Sequence, residues 1–161
     1  MPLTLSDPDA GHEFLTDDAV EVEGAPRRLR SYISIKTTEE SGTLPAWFRP
    51  VLAEVRRLLA LPAGWDSYQA RRIDPKCIGA LLELLVRTIP SDLPPPRLDA
   101  TSKGGVVALW QKGTTEIELE IPAPDRYRLL HVHGGREEEC EVLATDLRPL
   151  MRAIDDLAHT A

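Results

Sequence analysis

His131-Val132-His133 sets two imidazoles two residues apart, with Cys140 a short way beyond. On a strand, alternate residues share a face, so the pair has the geometry of two metal ligands, and His with Cys is a common zinc donor set. A zinc site would also require a third and fourth ligand, and no regular spacing in the chain supplies them. A plainer role is open to the same residues. Aligning Ile117, Leu119 and Ile121 with Val132, Leu130 and Arg128 places Glu118 opposite His131 and Glu116 opposite His133. Cross-strand Glu–His pairs on a wet sheet face are therefore expected, with no metal.

A second concentration of chemistry is Leu61-Pro-Ala-Gly-Trp-Asp-Ser-Tyr-Gln-Ala70. Trp65 can cover a helix–sheet junction, and Asp66 can accept backbone N–H bonds in a turn. That makes the segment a structural staple, because a buried Trp dominates local packing. The functional alternative is a recognition loop of Trp65, Asp66, Tyr68, Arg71 and Arg72, residue types that concentrate at interface hot spots. A third candidate is the alternation Glu116, Glu118, Glu120 with Ile117, Leu119, Ile121. It gives one buried face and one wet face of a single charge sign. Lys103-Gly104-Gly105 lacks the order of a phosphate loop, in which Lys and Ser/Thr follow the glycines into a helix. No Gly-x-Ser-x-Gly elbow is present, and neither cysteine has a histidine set beside it as a base. The Glu137-Glu138-Glu139 run reads as a solvated turn and strand edge.

The elements that must carry these residues follow from periodicity. Residues 1–26 hold seven acidic residues and three prolines and read as a flexible arm. Residues 27–161 are expected to form one domain. It begins with a strand over Arg28–Lys36, where Leu29, Ile33 and Ile35 alternate with polar residues. A helix follows from about Pro50 to Leu61, facing inward through Val51, Val55, Leu58, Leu59 and Pro62. The next helix is capped by Asp74 with Pro75 at its first position, and its stripe is Ile78, Leu81, Leu82, Leu85 and Ile89. Pro94-Pro-Pro96 forces an extended connection. Beyond it, Val106–Gln111, Thr114–Ile121 and Tyr127–His133 read as antiparallel strands, with a fourth at Cys140–Leu143. A last helix starts at Thr145 or Asp146, with Leu147, Leu150, Met151, Ile154 and Leu157 inward. The fold class is α+β, with helices packed on one face of an antiparallel meander and a C-terminal helix.

Composition narrows the function. The 161 residues suit one domain. No stretch approaches the roughly 20 apolar residues that span a bilayer, and the N-terminus lacks a secretory pattern. Two cysteines fit a reducing compartment, so a cytoplasmic location is expected. A net charge of −7 argues against general affinity for nucleic acid, because phosphate neutralisation drives that binding.

Leu61-Pro-Ala-Gly-Trp-Asp-Ser-Tyr-Gln-Ala70 and the leucine-rich helix after it resemble an uncharacterised bacterial and phage family of small proteins. Its signature reads Leu-Pro-x-Gly-Trp-Asp-x-Tyr-x-Ala. Pro94-Pro-Pro96, Gly104-Gly105-Val106, Trp110, Gly113 and the Glu116–Ile121 strand extend the resemblance over about residues 45–135. The glycine that often follows the family's Tyr is Gln69 here, which alters the turn. The resemblance supports the fold and transfers no activity. Two readings result. The favoured one is a non-enzymatic protein-interaction module, an accessory, adaptor or immunity-like protein of a bacterial or phage locus. It uses no cofactor, metal or catalytic residue, binds a partner protein with a basic surface, and leaves a homodimer open. The other is a small metal-assisted enzyme built on His131 and His133, with Cys140 or Asp66 as further ligands.

Overall fold

The computed structural model describes residues 44–160. The expected arm at 1–26 and strand at Arg28–Lys36 lie outside them. The order of elements is α1 (Phe48–Leu59), α2 (Pro75–Thr88), β1 (Arg97–Ala100), β2 (Val106–Lys112), β3 (Thr115–Ala123), β4 (Arg126–His133), β5 (Arg136–Val142) and α3 (Arg148–His159). The strands form one antiparallel sheet in sequence order, so each pairs with its chain neighbour. This is the expected α+β meander.

Each helix exists because one stripe is apolar. In α1, Phe48, Val51, Leu52, Val55 and Leu58 recur at three- and four-residue spacing and are buried. Burying such a side chain stabilises the fold by about 1.5–3 kcal/mol. Pro62, expected on this face, is exposed, because the helix ends at Leu59 and the chain has already turned away. Arg57 ties α1 to the sheet: it holds Glu54 at 2.8 Å and also donates to the Leu98 carbonyl at 3.1 Å. In α2, Asp74 accepts from the Lys76 amide at 2.9 Å and Pro75 opens the helix, as the sequence implied. In α3 the inward side is Leu150, Ala153, Ile154 and Leu157. Met151 instead stands 55% exposed, one residue round the helix from that stripe.

One strand of the sheet, β1, was not expected. Arg97–Ala100 pairs with β2, and Trp110 anchors the preceding proline run by donating its indole N–H to the Pro94 carbonyl at 3.2 Å. At the other edge the glutamate run, expected as a solvated turn and strand edge, lies within β5, which begins at Arg136 and not at Cys140. Gly134-Gly135 makes the β4–β5 turn with φ of 56° and 79°, the left-handed pair that a two-residue hairpin of primed type demands. The buried residues of the strands, Leu98, Val106, Ala108, Trp110, Thr115, Ile117, Leu119, Ile121, Leu129, His131 and Val142, all lie on one face. There α1 packs on β1, α2 on β2 and β3, and α3 on β3, β4 and β5.

Gly105 marks the closest backbone approach. A Cβ there would sit 2.5 Å from the Ile121 carbonyl oxygen and 2.9 Å from the Pro122 Cα, neither of which can swing away. Gly105→Ala is expected to cost about 2–3 kcal/mol or more, as overpacking does. Gly134→Ala meets nothing within 4 Å and should cost only the left-handed penalty of about 1–2 kcal/mol. Urea midpoints of the two variants check this; an equal or reversed order contradicts it.

Candidate functional site

The facing of β4 depends on one irregularity. Near the turn Ala123 pairs with Arg126, but Glu120 pairs with Arg128, so Ile121 and Pro122 together oppose Tyr127. Two residues against one is a β-bulge. Pro122 has no N–H to give to a ladder, and a bulge is one of the few sites where a strand tolerates it. Counting inward from the turn without the bulge gives Ile117 opposite Val132. With it, Ile117 pairs with His131 and Thr115 with His133. A one-residue shift moves every side chain to the other face. The expected Glu118–His131 and Glu116–His133 pairs are therefore not formed. Glu118 faces Leu130 and Glu116 faces Val132, while both histidines lie on the helix-covered face.

The opposite face carries Glu116, Glu118 and Glu120 together, as the alternation predicted. No described helix lies on it, and none of its residues is buried. Three cross-strand rows make up its centre. They run Gln111, Glu116, Val132, Glu137; then Leu109, Glu118, Leu130, Glu139; then Val107, Glu120, Arg128, Glu141. Glutamates thus form two columns, on β3 and β5, with Val132, Leu130 and Arg128 on β4 between them. Adjacent strands lie about 4.8 Å apart, so the two columns stand about 10 Å from each other. Arg128 meets Glu120 at 3.4 Å and Arg126 meets Glu141 at 3.6 Å. Among the described residues, Glu116, Glu118, Glu137 and Glu139 have no cationic partner. Successive glutamates in a column are about 7 Å apart, and such a pair repels by about 0.6 kcal/mol even at the dielectric of water. The sequence showed the β3 column; it hid the β5 column, because the glutamates read as a solvated turn and strand edge ahead of a strand starting at Cys140.

The loop between α1 and α2 is tightly constrained. Asp66 Oδ1 accepts from the amides of Tyr68 at 2.9 Å and Ala70 at 3.1 Å, which is the turn role the sequence suggested. Gly64 donates to the Ala70 carbonyl at 2.8 Å, closing the loop, and Ser67 adopts φ of 66°. Trp65 is half-buried, and its indole N–H is enclosed without a partner among the described residues. Trp47, not Trp65, is the tryptophan that joins the core from this half of the chain. Tyr68 stands 86% exposed, and Arg71 and Arg72 are exposed beyond it. Lys103-Gly104-Gly105 has a packing role: the Arg71 amide donates to the Ser102 carbonyl and the Asp74 amide to the Gly104 carbonyl, both at 2.9 Å.

Nucleophilic chemistry gains nothing from the cysteines. Burial, helped by Asp74 and Asp125, pushes the Cys77 thiol up to about 11. Burial and then Glu138 raise Cys140 as well, so both remain protonated thiols near neutrality. No described helix is long and apolar enough to cross a membrane. Compared with known protein families, curated proteins and solved structures, the chain matches none of them.

Asp66→Ala leaves the Tyr68 and Ala70 amides without their acceptor, and should destabilise the chain by about 1–3 kcal/mol. Amide exchange should accelerate first at those two residues. Unchanged protection of both amides would show that the carboxylate does not hold the loop.

Proposed function

We propose that this chain is a protein-interaction module that docks a basic, amphipathic segment of another protein on the sheet face that no described helix covers. The arrangement of Leu130 and Val132 between two glutamate columns carries this reading. An apolar side chain of the partner can lie over Leu109, Leu130 and Val132. Lysines or arginines on either side then meet Glu116 and Glu118 in one column and Glu137 and Glu139 in the other. The gain is twofold: apolar area leaves water, and like-charge repulsion built into the free protein is relieved. Complementary charge of this kind raises the on-rate and selects against acidic partners. Solubility alone is served better by interspersed charges than by one sign. The net charge of −7 agrees with a basic partner. In the setting suggested by the Trp65–Tyr68 motif, the module is an accessory, adaptor or immunity-like protein of a bacterial or phage locus.

The test is reversal of one glutamate in each column, Glu118→Lys with Glu139→Lys. Partners are captured from the native host with wild-type and variant chains, and on-rates are measured over a salt series. The variant is expected to keep its circular dichroism spectrum and lose the partner, whereas the wild-type on-rate falls steeply with salt. Undiminished capture by the folded variant would refute the sheet face. Attention would then move to the loop presenting Tyr68, Arg71 and Arg72.

A further inference from the structure

At the end of the helix-covered face, the bulge-shifted register brings together side chains that are far apart in sequence. One nitrogen each of His131 and His133 and a carboxylate oxygen of Asp156 all lie within 4.8 Å of one another. Asp156 comes from the last turn of α3, and the two histidines come from the end of β4. Cys140 and Asp66, the further ligands the sequence offered, are not in this cluster; Asp156 takes that place, from an element whose packing could not be read from spacing.

His131 is the informative member. Its residue is 8% exposed, and its Nε2 is fully enclosed with no hydrogen-bond partner among the described residues. Asp156 Oδ2 lies 3.5 Å from it. That is longer than a good N–H···O bond of about 2.7–3.2 Å. It is close to the separation of two ligands on one tetrahedral ion: bond lengths of about 2.0–2.1 Å put neighbouring donor atoms about 3.3–3.4 Å apart. The pair is thus set too wide for each other and about right for an ion between them.

Hydrogen-bond accounting around His133 points the same way. Thr160 donates its only hydroxyl proton to the Asp156 carbonyl at 2.7 Å. It must therefore accept in its 2.6 Å contact with Thr115, which spends the Thr115 proton. Thr115 is then an acceptor for His133 Nδ1, 2.7 Å away. His133 carries its proton on Nδ1 and keeps a lone pair on Nε2. A ligating histidine commonly has its other ring nitrogen fixed by such a donor bond. Thr115 is wholly buried, so this relay is part of the packed structure.

We infer that His131, His133 and Asp156 bind one divalent transition ion of the zinc class. Two imidazoles and one carboxylate suit that class better than magnesium or calcium, which prefer oxygen donors. Three protein ligands leave a coordination position open, and because His133 is exposed and Asp156 half-exposed, the open side faces solvent. That position takes water or a donor atom from a bound molecule. Glu138 and Arg136, across β5 from His131 and His133, stand at its rim.

The test uses the full chain, stripped with chelator and titrated with Zn2+ by calorimetry and with Co2+ by visible absorption. One ion per chain and the intense bands of low-coordinate Co2+ are expected. His133→Gln and Asp156→Asn alter residues at or near the surface, so their metal-free forms should melt with the wild type. Each should weaken binding at least about 10-fold. Thr115→Val, which removes the bond orienting His133 together with the Thr115–Thr160 contact, should weaken it about 10–100-fold. No stoichiometric binding by wild type, or binding that survives both His133→Gln and Asp156→Asn, would overturn the assignment.

Discussion

In a sheet that the described helices cover on one face, the pairing register of β4 decides which chemistry is wet and which is enclosed. That register is held by the bulge at Ile121–Pro122, where two residues of β3 face Tyr127 alone. Pro122 cannot complete a regular ladder, and the strand absorbs the missing donor by bulging. The consequence propagates along the whole strand, since side chains alternate with a period of two. Leu129 and His131 enter the core face; Arg128, Leu130 and Val132 leave it. Without the bulge, Arg128 would be driven beneath the helices and the histidines would line the glutamates. Burying that guanidinium without a partner would cost several kcal/mol, which favours the bulged register although it leaves Leu130 and Val132 on the wet face.

Both proposed binding regions follow from this one feature. On the face that no described helix covers it places Leu130 and Val132 between glutamate columns and sets Arg128 between Glu120 and Glu141. On the covered face it brings two imidazoles to the edge of the core, where α3 arrives with Asp156. The faces differ in solvent, and hence in what they can do. Exposed carboxylates act collectively through a field that salt screens within about 10 Å at 0.1 M. The enclosed His131 acts through a specific short-range bond, because a buried nitrogen without a partner is costly to leave so.

Much of the architecture was legible in the sequence for local reasons. Asp74-Pro75 announces its helix start by capping chemistry, and the Ile78, Leu81, Leu82, Leu85 stripe has helical spacing that only a buried face explains. Glu116 to Ile121 alternates strictly, so its wet face was readable from one strand. What failed to show depended on partners distant in sequence. The short strand Arg97–Ala100 has too few residues to display a period, and β5 looks like a charged turn because one of its faces is entirely acidic. The His131–His133 facing could be read only by knowing the bulge. Asp156 gave no signal, because its relation to the histidines exists only once α3 has packed. Asp66 was read correctly as a turn acceptor, whereas Trp65 turned out to be half-buried beside a core whose tryptophans are Trp47 and Trp110.

The pairing of β3 with β4 is thus the central structural claim, and interstrand nuclear Overhauser effects on the isotopically labelled full chain measure it directly. The account predicts cross-strand contacts of Ile117 with His131 and of Glu118 with Leu130, together with contacts from the His131 ring to α3. Contacts of Ile117 with Val132 and of Glu118 with His131 would contradict it, and would return the histidines to the glutamate face.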